Sequence, residues 1–162
     1  MVNKNRKSVK QAGAVVVDTE PPTMFYVVKQ LELAVRARLD ELLRPMEVTV
    51  LQYTALTVLA RRDGVSSAEL ARNSFVTAQT MGEMVTTLES KGLVSRRADE
   101  SNRRRMFVDL TDAGRLLLER CDGGVRALEQ HMLSGLSDEK RNGLRDALTE
   151  CRRALGVPLD GS

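Results

Sequence analysis

Apolar residues recur along this chain at helical spacing in several runs and at strand spacing in one. From Met24 to Arg44, Val28, Leu31, Val35, Leu39 and Leu42 follow in steps of three and four, predicting a helix of about five turns that Pro45 ends. A second helix is expected from Thr49, where Gln52 three residues on completes a capping box, to about Arg62, with Gly64 as stop. Ser66 and Glu69 form another such box and open a very short helix, SSAELARN. The turn NSFV leads from it into a helix capped by Thr77, whose apolar stripe is Met81, Met84, Val85 and Leu88. Lys91 and Gly92 close that helix. Beyond it, Leu93 to Arg97 and MFVDL bracket a polar stretch. In MFVDL, Met106, Val108 and Leu110 alternate with Phe107 and Asp109, so a β-hairpin is predicted.

Two longer stripes follow. Thr111 caps a helix to about Ser134 in which Leu118, Cys121, Val125, Leu128 and Met132 keep a heptad-like spacing. Gly123 and Gly124 interrupt it, which predicts a bend or a close backbone approach. Ser137 caps a last helix to about Leu155, with Leu144, Ala147, Leu148, Cys151 and Leu155 on one face. The end helices carry more apolar stripe than the residues between them can cover. Residues 23–45 and 111–156 are therefore expected to form a helical dimerisation region and 46–110 the region between them, the two interwoven in one domain. Residues 1–22 read as a flexible N-terminal arm, basic at Lys4, Arg6, Lys7 and Lys10 and ending in Pro21 and Pro22.

Composition narrows the class. A chain of 162 residues is long enough for one ordinary domain, or for one domain with an oligomerisation extension; with aromatics at 3% and no Trp, a core of Leu, Val, Met and Ala from packed helices is expected. The expected fold class is mainly α with a small β-hairpin wing. The net charge of +3 is mild, so any contact with nucleic acid has to come from local clustering. Such a cluster exists in the hairpin tip, at Arg103, Arg104 and Arg105. The longest apolar run falls short of a membrane span, so a cytoplasmic protein with no membrane partner is expected. Cys121 and Cys151 lack metal-binding spacing, and His131 is the sole histidine, so neither a metal nor a cofactor is expected. Both cysteines fall on the predicted buried faces and read as inert core thiols, with redox sensing as the alternative. A Gly-rich phosphate loop, an HExxH and a nucleophile elbow are all missing, which argues against an enzyme.

Two helices joined by a tight turn, the second followed by a basic hairpin, predict a winged helix-turn-helix. Helix residues Thr77, Ala78, Gln79, Thr80 and Glu83 lie off the apolar stripe and are the candidate DNA-reading set. Gln79 offers both an acceptor and a donor to adenine, Thr80 can reach a phosphate or a thymine methyl, and Glu83 can accept from cytosine or orient a neighbouring donor. Asn102, Arg103, Arg104 and Arg105 are the candidate wing contacts, suited to a narrow, electronegative minor groove. Ser66 and Ser67 are candidates for phosphate contacts. A helical adaptor that uses the arginines to bind an acidic protein is the alternative reading.

The chain from about Met24 to Leu155 resembles the MarR family of transcription regulators. The family's wing pattern, roughly Asp-Pro-x-Asp-Arg-Arg followed by Val-x-Leu-Thr and a Gly, is matched by Asp99, Arg103, Arg104, Val108, Leu110, Thr111 and Gly114. It departs at Glu100 and Asn102, where the family commonly has Pro and Asp. The run from Leu70 through Gln79, Thr80 and Met81 to Lys91, Gly92, Leu93 and Val94 is similar to the family's helix-turn-helix. The resemblance implies a homodimer of triangular outline, two lobes gripping a pseudo-palindromic operator on double-stranded DNA, and a repressor released by a small amphipathic or phenolic effector. The pocket it implies would be walled here by Phe25, Tyr26, Leu31, Tyr53 and Leu56.

Overall fold

The computed structural model describes residues 21–62, 64–99 and 105–156. Among the described residues, six α-helices and three short strands follow in the order α1 (Met24–Leu43), α2 (Val50–Arg61), β1 (Val65–Ser66), α3 (Ser67–Asn73), α4 (Ala78–Ser90), β2 (Val94–Ala98), β3 (Met106–Leu110), α5 (Asp112–Met132) and α6 (Asp138–Ala154). The fold is mainly helical with a small antiparallel sheet, as the apolar spacing predicts. The predicted arm falls almost wholly outside the described residues, as do Asn102, Arg103 and Arg104 of the predicted wing.

Each helix begins where a side-chain oxygen takes up an otherwise unbonded amide. Thr23, Thr49, Ser66, Thr77, Thr111 and Ser137 are the N-caps, and both capping boxes, Thr49 with Gln52 and Ser66 with Glu69, are closed in both directions. Pro45 does end α1, but through a single 3-10 turn, Arg44–Met46, which hands the chain to α2 by way of a left-handed Glu47.

Sequence spacing alone missed β1. It pairs Val65 with Val108 and Ser66 with Phe107, so β3 is the centre of a three-stranded sheet and not one arm of a two-stranded hairpin. Two residues are too few to show an alternation. What makes them a strand is the neighbouring β3, whose second edge would otherwise carry unpaired backbone groups.

The core sits in the lobe. Leu43, Leu56, Leu59, Leu70, Met81 and Leu88 are fully buried, with Val65, Val94 and Val108 of the sheet closing one side. The stripe Met81, Met84, Val85 and Leu88 is the buried face of α4, which turns its opposite face outward. The outer helices are covered far less. Leu43 is the one buried residue of α1 and α6 has none, while Leu117 and Cys121 tie α5 to the lobe. The glycine pair in α5 does not break the helix. A Cβ on Gly124 would lie 2.8 Å from Leu42 Cδ1, so Gly124 is the close approach between α5 and α1, whereas Gly123 faces open space.

Candidate nucleic-acid interface

The start of α4 is a polar, solvent-facing turn held by its own side chains. Thr77 Oγ1 accepts from the Thr80 amide at 3.1 Å and lies 2.9 Å from Thr80 Oγ1. Ala78, Gln79, Thr80 and Glu83 are all exposed. Gln79 Nε2 donates to Glu83 Oε1 at 3.2 Å. Glu83 thus orients the Gln79 amide and leaves its carbonyl oxygen and second N–H for a base edge, which explains a carboxylate on this surface.

Beside this turn is an open cleft of about 590 Å³, bordered by Ser66, Ser67 and Arg72 of the α3 region, Ala78 of α4, and Arg105 and Met106 at the base of the wing. It therefore brings together three of the predicted elements: the short helix, the recognition helix and the hairpin. Ser67 is half-buried on its rim. The expectation for Ser66 is corrected. Its side chain is buried, and its hydroxyl donates to Glu69 Oε2 at 2.6 Å while accepting from the Glu69 amide, so it is engaged as a cap and has little left for a phosphate. The cleft also includes Arg72, which the sequence alone did not single out.

Arg105 is the one described member of the arginine run, and it is not simply in water. Its Nη2 lies 3.4 Å from Glu69 Oε2, and its guanidinium sits over the Phe107 ring at 4.9 Å, with Arg97 over the same ring at 5.1 Å. Arg97 in turn pairs with Asp109 at 3.1 Å, whose other oxygen accepts from the Gly64 amide. The base of the wing is therefore a cationic face pre-ordered by aromatic and carboxylate contacts. Hydrogen bonds from Ser66, with the Arg105 charge adding to them, hold the Glu69 carboxyl below its ordinary value.

The predicted effector wall is not one surface in the chain. Leu56 is completely buried in the core and has no face to offer a ligand, while Phe25, Tyr26 and Leu31 stand exposed on α1. Tyr53 does line a cleft, of about 330 Å³ between α2 and α5, shared with Thr57, Arg61, Leu118 and Asp122. Burial pushes the Tyr53 phenol up, which keeps it a hydrogen-bond donor. Cys121 is buried, and burial pushes its thiol up as well. Cys151 is exposed, contrary to its predicted buried position, because nothing among the described residues covers that face of α6.

A family model described as MarR family matches residues 48–106, the stretch that holds α2, the helix-turn-helix and the sheet. The HTH-type transcriptional repressor Rv2887 of Mycobacterium tuberculosis is 34% identical over 112 residues, covering 69% of this chain and 81% of that protein. This chain belongs to the MarR family. Its members are transcription regulators, not enzymes. Two solved members share the fold over most of their length. The Staphylococcus aureus MepR–DNA complex has a TM-score of 0.74 at 25% identity, over 83% of this chain and 99% of that one. Rv2887 in complex with p-aminosalicylic acid has a TM-score of 0.66 at 29% identity, over 80% and 98%. As a MarR-type protein, the chain is a transcriptional regulator. No helix among the described residues is long and apolar enough to cross a membrane.

Proposed function

We propose that the protein is a homodimeric repressor that binds a pseudo-palindromic operator through two winged helix-turn-helix lobes and is released by a small aromatic acid or phenol. The observation that carries the DNA reading is the outward face of α4 beside the cleft, where Gln79 is oriented by Glu83 next to the cations Arg72 and Arg105. Helix and wing then divide the work: Gln79 meets base edges in the major groove, while the wing and the cleft rim hold the backbone. A relative solved with DNA supports this reading. Dimerisation is supported by the exposed apolar residues of the outer helices, among them Met24, Phe25, Val28 and Leu31 of α1 and Leu144, Leu148 and Leu155 at the C-terminal end. Residues 23–45 and 111–156 form the dimer in this reading, and 46–110 the DNA lobe.

For the effector, the cleft beside Tyr53 sets the Tyr53 phenol and the Thr57 hydroxyl beside apolar Leu118 and Ala60, with Arg61, Glu119 and Asp122 also lining it; the aromatic-acid class is taken from the relative solved with p-aminosalicylic acid. Such a ligand releases DNA by preferring the unbound arrangement of the lobes.

The test is binding of the full chain to duplex from the promoter beside its own gene, across a salt series. The expected result is salt-sensitive binding, weakened by p-aminosalicylate by roughly 5- to 150-fold, the usual range of allosteric coupling. Gln79→Ala is expected to lose about 1–3 kcal/mol on the operator and little on random duplex. Duplex binding that is absent, or insensitive to salt, would transfer the arginines to an acidic protein partner.

A further inference from the structure

One arginine of the sheet turns away from the DNA side and into the recognition helix. In β2, Arg97 stands opposite Phe107 on the outer face, so Arg96, opposite the buried Val108, stands on the inner one. Its Nη2 donates to the Gly82 carbonyl at 3.2 Å and to Thr86 Oγ1 at 2.6 Å, and its Nη1 lies 3.4 Å from Glu89 Oε2. Thr86 Oγ1 itself donates to the Gly82 carbonyl at 2.9 Å. Positions 82, 86 and 89 follow at i, i+4 and i+7, one ridge of α4. A single planar guanidinium thus grips the recognition helix over two turns from the strand that carries the wing.

We propose that Arg96 is a positioning residue for DNA recognition: it fixes the rotation and height of α4 against the wing, so that Gln79 and the hairpin arginines meet their grooves in one register. The proposal rests on the DNA-binding reading above. Contact along a ridge resists both turning and sliding of a helix, which one hydrogen bond would not. A helix turning on its axis carries Gln79 with it, and base readout tolerates little displacement. Both Arg96 Nη atoms have partners on α4 although the residue is exposed, and in this proposal Arg96 acts through the helix and not by touching phosphate. The fork is what suits arginine here, because the compact ammonium of lysine cannot span three acceptors in a fixed plane.

The test uses the full chain with Arg96→Gln, Arg96→Lys and, with less risk to folding, Thr86→Val, which removes one acceptor of Arg96. Operator and random-duplex affinities are measured across a salt series, beside thermal midpoints. Arg96→Gln is expected to weaken operator binding about 10-fold, the size of one lost charged hydrogen bond, with random-duplex affinity and the salt slope unchanged. Arg96→Lys should recover part of the loss. Thr86→Val should lower operator affinity by itself, and should cost less in the Arg96→Gln background than alone. Operator affinity equal to wild type in Arg96→Gln and Thr86→Val, with only the thermal midpoint lowered, would reduce the contact to a structural one. A salt slope lower by about 0.9 in Arg96→Gln would make Arg96 a direct phosphate contact, again against the proposal. A wild-type chain that binds no duplex would overturn the DNA reading and this one together, whereas normal wild-type binding with unaffected variants would overturn only this one.

Discussion

Glu69 shows how much one side chain can carry in a short helix. It closes the cap of α3 through Ser66 and pairs with Arg105 of the wing, linking the helix-turn-helix to the hairpin. Its carboxyl is lowered from an ordinary value of 4.5, so the native state binds a proton less readily than the unfolded chain. The stability this contributes is complete above the unfolded value and is lost as pH falls through the lower folded one. Glutamine at position 69 can still cap, so Glu69→Gln isolates the charge. The thermal midpoint of this variant should lie below wild type at neutral pH and converge on it as pH drops below about 4.5. A difference that persists unchanged to strongly acid pH would mean the charge plays no part. At this scale the local signals were legible: both capping boxes, Thr77 and the exposed Gln79 could be read from spacing. The partners of Arg96 and Arg105 could not, because their acceptors lie 14 and 36 positions away. Phe75 is a similar case, an exposed phenylalanine in a left-handed turn that no periodicity marks.

Among the elements, α5 is the one whose glycines answer different questions. Gly114 lies where the first turn of α5 meets the sheet, and a Cβ there would stand 2.3 Å from the Leu93 carbonyl oxygen and 2.5 Å from Leu110 Cδ1. Backbone cannot give way as a side-chain tip can, so Gly114→Ala should destabilise by about 1–3 kcal/mol or more. Gly123→Ala meets nothing within 4 Å and should stabilise the helix by about 1 kcal/mol. Urea unfolding of the two variants checks both signs, and a stabilised Gly114→Ala would refute the close packing of α5 on the sheet. From sequence, Gly123 and Gly124 together predict a bend or a close backbone approach. The fold separates them, since Gly124 faces Leu42 of α1 and Gly123 does not.

At the scale of the whole molecule, the chain is a well-packed lobe with under-covered outer helices. Leu144 and Leu148 are 37% and 41% exposed on α6, a helix without one buried residue, and Leu155 at its C-cap is 73% exposed. Burying each aliphatic side chain is worth roughly 1.5–3 kcal/mol, which is the driving force proposed for dimerisation. Leu148→Glu should yield a monomer by light scattering at micromolar concentration, with operator binding lost in parallel. A variant still dimeric would move the interface elsewhere. What the sequence determined by itself was everything local in origin: where helices start, which face of each is apolar, and the order helix, turn, helix, hairpin that marks the family. Caps and periodicity act over a few residues, so they survive reading one residue at a time. The tertiary structure decided which apolar faces the chain satisfies internally, burying Leu56 and leaving Phe25 and Cys151 in the open. It also decided that Val65 and Ser66 form a strand, and that a wing arginine holds the recognition helix. These outcomes depend on groups brought together across the sheet and between helices, where distance along the chain carries no information about distance in space.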